Sequence, residues 1–245
     1  MLHRVRKRSV IVAVGLPVLA SIMMVVMTGP AAASWVSPWS TVRNNWAPCS
    51  GPNPTYFSNV TASPGEFEGE SMDQSDGSVF CSSNTAETEI NAGFDQSPTF
   101  TPATQGSHTI TAVFSGSIYV YADQIGCGLG TARGTFELGT GAYDANTGKT
   151  LSYYAYPSGL AFSQTCGMAD SVVTLSSSTG SISYTGVFNA NQVYEPFGSI
   201  DWLTDSSEGQ TGTSATALIG FGAACYQGTG NTCAGPVYLS SITIT

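Results

Sequence analysis

Carboxylates are the plentiful reactive groups of this 245-residue chain, in which 16 Asp and Glu stand against 7 Lys and Arg and 2 His. His3 lies in a basic N-terminal stretch, so the rest of the chain holds one imidazole, His108. Any Ser-His-Asp or Cys-His machinery would have to use it. No GxSxG or reactive-cysteine signature accompanies His108. Its place after TPATQGS, at the start of a strand pattern, fits an imidazole bonded to a loop carbonyl. Zinc sites built from several histidines are excluded within one chain, and no CxxC pair occurs. The glycines of GCGLGTARG imitate a phosphate loop. Cys127 interrupts that pattern, no Lys-Ser or Lys-Thr follows, and no helix is expected after it.

Two carboxylates facing a cleft about 5 to 10 Å apart can hydrolyse a glycosidic bond. Glu195 and Asp201, which bracket the aromatic-rich run YEPFGSIDW, are the catalytic candidates. Glu87 and Glu89 share a strand face by alternation. Glu66, Glu68 and Glu70 have the same spacing within GEFEGES, a Gly-, Ser- and Asp-rich stretch that reads as a loop. The longer run GEFEGESMDQSDGS gathers Glu66, Glu68, Glu70, Asp73 and Asp76 beside amide and hydroxyl oxygens. That set suits a hard cation such as Ca2+, which takes six to eight oxygen ligands, although the run lacks the spacing of a known calcium loop. No other cofactor is implied.

Aromatic residues suggest binding chemistry. Sugars present flat apolar faces ringed by hydroxyls, so a glycan platform needs exposed Trp and Tyr among neutral hydrogen-bonding side chains. Alternation sets Tyr119 and Tyr121 opposite the stripe Ile110, Ala112, Phe114. Tyr154 stands with Tyr153 and Tyr156, and Trp202 follows Asp201. Tyr119, Tyr121, Tyr154 and Trp202 are the candidate ligand-binding residues. The competing reading is that Tyr and Thr simply suit a pleated surface.

The elements that must position these groups are strands. Short β-branched and aromatic runs bounded by turn residues occur at Tyr56 to Thr61, Glu87 to Phe94, His108 to Tyr121, Thr131 to Leu138 and Thr150 to Tyr156. Others follow at Val172 to Leu175, Ser181 to Phe188, Val193 to Trp202, Ala215 to Phe221 and Val237 to Thr245. No amphipathic helix competes. Gly116 marks a bulge or bend in the longest run. Asp144 to Gly148 supplies a hairpin turn, and SSSTG (Ser176 to Gly180) another. The pattern predicts an all-β fold, either an antiparallel jelly-roll-like β-sandwich or a closed barrel, stapled by disulfides. Residues 34 to 54, with four prolines and three of the four tryptophans, read as an irregular arm before a single domain at 55 to 245. The tail GPVYLSSITIT, after SATALIGFG, is similar to the closing strands of jelly-roll carbohydrate-binding modules. Ser240 stands where an acid is expected there, and no specific motif or residue role accompanies the likeness.

Residues 1 to 33 have the three parts of a secretory signal: the basic HRVRKR, an apolar stretch from Val10 to Met27, and small residues Ala31 to Ala33 before Ser34. Pro17 and the Gly29-Pro30 break favour cleavage over a retained anchor. The formal charge of −9 is therefore an average. Four of the seven basic residues lie in the first eight positions, so the remainder has three against 16 acids, near −13. Such a surface repels phosphate and excludes nucleic acid as a partner, and no membrane contact is expected once the signal is removed. Six cysteines in an exported chain imply up to three disulfides, expected in sequence order as Cys49–Cys81, Cys127–Cys166 and Cys225–Cys233. Asn59-Val60-Thr61 is a sequon that marks Asn59 for glycosylation. The expected protein is secreted and non-catalytic, binding or assembling on a glycan or other extracellular polymer. Two alternatives are a carboxylate-dependent extracellular glycoside hydrolase and a structural subunit of an envelope or filament. Oligomeric state is not encoded in any feature of the sequence.

Overall fold

The computed structural model describes residues 34–47, 55–63, 65–76, 84–97, 99–127, 130–155, 160–208, 213–222, 225–226 and 232–245. Fifteen strands follow in chain order. They are β1 (Ser34–Ala47), β2 (Thr55–Ser63), β3 (Glu66–Asp76), β4 (Asn84–Ser97), β5 (Gly106–Ile125), β6 (Gly130–Asp144), β7 (Lys149–Ala155) and β8 (Ala161–Gln164). After them come β9 (Gly167–Leu175), β10 (Ser181–Phe188), β11 (Tyr194–Glu208), β12 (Ser214–Phe221), β13 (Cys225–Tyr226), β14 (Thr232–Cys233) and β15 (Val237–Ile244). Among the described residues there is no helix, and the strand pairings are antiparallel.

One sheet has the order β1-β4-β11-β6-β7, with β8 also on β6. β7 pairs with Leu138–Asp144 and β8 with Ala132–Thr135, so the two occupy successive parts of one lane. The other sheet is organised the same way around the long β5. On one side β9 pairs with Gly116–Gln124 and β10 with Gly106–Val113. On the other, β12 pairs with Tyr119–Ile125 and β15 with Ile110–Gly116. β3 then pairs with β12 and β15, and β2 with β3. Each sheet is thus five lanes wide. β5 turns at Gly116, whose φ of +132° L side chains rarely adopt, and a methyl there would overlap the carbonyl oxygen of Pro236. The expected bend is present.

Side chains from both sheets meet in one core containing Phe67, Phe94, Phe114, Phe136, Trp202 and Phe221. Trp202 meets Phe221 edge-on at 4.9 Å and stacks on Phe136 at 6.2 Å. The interior also holds a polar seam between β3 and the other sheet. Trp202 Nε1 donates to Ser71 Oγ at 3.0 Å, Thr88 Oγ1 donates to Asp73 Oδ1 at 2.9 Å, and Thr204 donates to Asp73 Oδ2. The hydroxyls of Ser75 and Ser206 lie 2.9 Å apart. These bonds satisfy groups that would otherwise be costly to bury.

Seven of the ten expected runs fall wholly in strands; of the others, Val193 and Thr245 lie one residue outside β11 and β15, and Tyr156 lies outside the described residues. Gly148 N donates to Asp144 O and Gly180 N to Ser176 O, closing the two expected turns. Two expectations are corrected. The arm is not irregular at its start: residues Ser34–Ala47 form β1, paired with β4 along its length and shifted in register between Val36 and Trp39, where Pro38 falls. A sheet's outermost lane tolerates proline because one side of its backbone has no ladder to complete. The stretch GEFEGESMDQSD is not a loop but β3, between β2 and the β12/β15 lane. Its buried side is Phe67, Gly69, Ser71, Asp73 and Ser75, so polar side chains occupy core positions and hide the alternation.

The Cys127–Cys166 disulfide is formed. Cys225 and Cys233 stand opposite each other in the β13–β14 pair, and Cys49 and Cys81 lie outside the described residues. Among the described residues no helix is long and apolar enough to cross a membrane.

Candidate functional site

Alternation along β11 divides its side chains between the core and the outer face of its sheet. Ile200, Trp202, Thr204 and Ser206 go inward, and Glu195, Phe197, Ser199, Asp201, Leu203 and Asp205 go outward. Register with the neighbouring strands assembles the outer face row by row. One row crosses five strands as Trp39, Gly93, Ser199, Gly139 and Tyr154. Its centre is small. A methyl on Gly93 would overlap the Trp39 ring, and one on Gly139 would overlap the Tyr154 ring. Both rings therefore lie over glycines, flanking Ser199. The Ser199 hydroxyl is fully buried and has no hydrogen-bond partner.

The adjoining rows place Asp95 opposite Phe197, and Glu195 opposite Tyr143, which is itself opposite Thr150. Trp39, Asp95, Tyr143, Thr150, Tyr154, Glu195 and Phe197 line a cavity of about 420 Å3. Asp95 and Glu195 sit diagonally on adjacent strands, because Glu195 is two residues before Asp95's partner Phe197. Diagonal Cβ atoms are about 7–8 Å apart or somewhat less. Burial pushes the Asp95 carboxyl up to about 6, and the charge of Glu195 adds to the effect. The cavity thus joins four aromatic side chains to a carboxyl pair, one member of which holds its proton into mild acid.

The sequence candidates are dispersed differently. Glu195 and Tyr154 are brought together in the cavity. Asp201 shares the outer face but lies six residues along β11 from Glu195, about 20 Å at the usual rise. That is too far for a catalytic pair. Asp201 instead accepts a 2.7 Å hydrogen bond from Asn91 Nδ2, while burial raises its carboxyl. Trp202, proposed as a ligand platform, is 0% exposed and belongs to the core. Tyr119 and Tyr121 are 1% and 6% exposed, so neither offers a ring face to solvent. Tyr153 is 52% exposed and lines a shallower groove with Tyr184, whereas Tyr156 lies outside the described residues.

The five acids suggested for calcium are split by the pleat of β3. Asp73 is buried in the polar seam, while Glu66, Glu68 and Glu70 are half-buried on the alternate positions. Asp76 ends the strand. Among the described residues no group of three or more His, Cys, Asp or Glu is placed to hold a metal ion. Burial raises Glu70 and pushes Asp73 up to about 6, the hydrogen bonds from Thr204 and Thr88 opposing that rise. Asn59 stands in β2 opposite Glu70.

His108 belongs to the other sheet, where its ring meets Phe100 at 4.9 Å and Phe188 at 5.9 Å. Arg133 pairs with Asp205 and Arg43 with Glu89. Trp39, Asp95, Tyr143, Thr150 and Phe197 are the cavity residues absent from the sequence candidates. The period-2 pattern of β4 does place Asp95 on the face of Glu87, Glu89 and Asn91, but only register could bring it beside Glu195.

No protein-family model matches the chain, and no curated protein is detectably similar to it.

Proposed function

We propose that this is an exported protein that binds a glycan or related extracellular polymer on the outer face of the β1-β4-β11-β6-β7 sheet, in the cavity between Trp39 and Tyr154. The observation that carries the reading is the seating of those two rings over Gly93 and Gly139, beside Tyr143, Phe197 and the Asp95–Glu195 pair. Aromatic surface next to a few polar groups is what a sugar ring requires, because its axial hydrogens form an apolar face and its hydroxyls need partners. In this reading the two five-lane sheets form a jelly-roll-like β-sandwich rather than a closed barrel. Sheets joined across a shared core by the Asp73 and Ser71 bonds, with one outer face carrying the cavity, favour that arrangement. Export is supported by the leader pattern and by the Cys127–Cys166 bridge.

Retardation of the protein in native gels containing soluble polysaccharides tests the binding. Retardation by at least one neutral polysaccharide is expected, with Trp39→Ala and Tyr154→Ala each weakening it about tenfold, or about 1.4 kcal/mol. Absence of retardation across xylan, mixed-linkage glucan, galactomannan and glucomannan would remove the proposal. N-terminal sequencing of the natural protein tests export, with Ser34 the expected first residue.

A further inference from the structure

The observations reach past binding. We propose that the cavity is also an active site, in which Asp95 acts as the general acid and Glu195 as the general base in hydrolysis of a glycosidic bond. This rests on the glycan reading of the same cavity.

The arrangement has the parts such a reaction needs. Two carboxyls stand on adjacent strands, Asp95 where β4 pairs with Phe197 of β11 and Glu195 where β11 pairs with Tyr143 of β6, so that backbone ladders rather than loops hold both. Both line one cavity, with Tyr143 and Thr150 on the side of Glu195 and Phe197 beside Asp95. Diagonal positions lie about 7–8 Å apart with their Cβ atoms somewhat closer, a spacing from which two carboxyl groups can reach the separation of about 5–10 Å at which paired acids cleave glycosides. The aromatic seats are an observation independent of the acids: the Trp39 and Tyr154 rings lie over Gly93 and Gly139 and line the same cavity.

The environments of the acids divide the roles. Burial keeps the Asp95 carboxyl protonated up to about pH 6, so it carries a proton under conditions where an ordinary aspartic acid has lost its own. Asp95 gives that proton to the glycosidic oxygen as the bond from this oxygen to the anomeric carbon breaks, and the bonding electron pair stays with the leaving oxygen, which becomes a hydroxyl. Glu195, as carboxylate, takes a proton from a water whose oxygen forms the new bond to the anomeric carbon. The sugar ends as a hemiacetal, and one water is consumed. Solvent then removes the proton from Glu195 and restores the one on Asp95. No oxidant, metal or cofactor enters the balance.

The test uses the full chain, exported so that its cysteines oxidise, with the same four polysaccharides as substrates. Release of new reducing ends is measured alongside retardation in native gels. The expected result is release from a polysaccharide that retards the protein. Asp95→Asn and Glu195→Gln should lower the rate about 100- to 10,000-fold while retaining retardation and a cooperative melting transition no less stable than the wild type's. Glu137→Gln, on the same face but outside the cavity, should leave the rate unchanged. The wild-type rate should fall as pH rises through about 6, where Asp95 loses its proton. Retardation without release of reducing ends would overturn catalysis and leave the binding reading standing. Release that survives in both variants would overturn the assignment of these two acids. Neither retardation nor release would overturn both readings together.

Discussion

Replacing Asp73 by Asn should make the protein more stable at neutral pH. Asp73 is fully buried between the sheets, and burial pushes its carboxyl from 3.8 to about 6 although Thr88 and Thr204 both donate to it. A raised carboxyl means that the folded chain holds the proton more tightly than the unfolded one. The stabilisation is then fully present below the unfolded value of 3.8 and is lost as pH climbs through about 6. A shift of about 2 units corresponds to about 3 kcal/mol. Asparagine is neutral throughout, keeps an oxygen for Thr88, and can donate to a Thr204 hydroxyl turned to accept. Asp73→Asn should therefore gain up to about 3 kcal/mol at pH 8 and change little at pH 4. For a domain of this size that is about 6–12 °C in Tm at the higher pH. Urea unfolding followed by tryptophan fluorescence at both pH values measures the difference. A variant less stable than wild type at pH 8 would show that the bonds from Thr88 and Thr204 outweigh the cost of burying the charge, and the reasoning would fail. The wild type should itself gain stability between pH 8 and pH 4, because Glu70, Asp95 and Asp201 are also raised by burial.

Three further outcomes are expected. Gly93→Ala and Gly139→Ala should each displace the ring seated above the glycine, Trp39 or Tyr154, and weaken polysaccharide retardation as the ring truncations do, while the protein stays folded. Cys127→Ser opens a loop closed across a sequence separation of 39 and should cost about 3–4 kcal/mol in urea unfolding. Dithiothreitol should lower the wild-type midpoint by at least as much. Gly116→Ala meets both an unfavourable φ and the Pro236 carbonyl, and should destabilise by about 3 kcal/mol or abolish folding, measured as loss of the cooperative unfolding transition.

What could be read from the chain follows from where its alternation is apolar. The β5 run was legible because Ile110, Ala112 and Phe114 repeat at period 2 between polar residues, and its bend was legible because glycine is the residue that takes such a φ. β3 was not, because Gly69, Ser71, Asp73 and Ser75 fill inward positions that the pattern reserves for apolar side chains, their polarity being matched by Thr88, Thr204 and Ser206 from the other sheet. β1 was obscured by Pro38, which coincides with its register shift. Glu195 was visible as an acid in an aromatic run, but its neighbour Asp95 lies a hundred positions earlier and only strand register joins them. Tyr119 and Tyr121 show the opposite limit. Alternation describes which way a residue points, and carries no information on whether that face is covered.

The divided lanes beside β5 bear on how the chain reaches its fold. β15, the last strand, lies against the first half of β5 and also meets β3, with Val237 opposite both Gly116 and Phe67. Pairings between such distant segments must close long loops before any contact rewards them, which places this topology among slow folders. Until β15 arrives, one side of β5 from Ile110 to Gly116 has an open ladder, and the inward faces of Ile110, Ala112 and Phe114 lack Leu239 and Ile242. The same open ladder is where a chain lacking β15 would pair with another copy of itself.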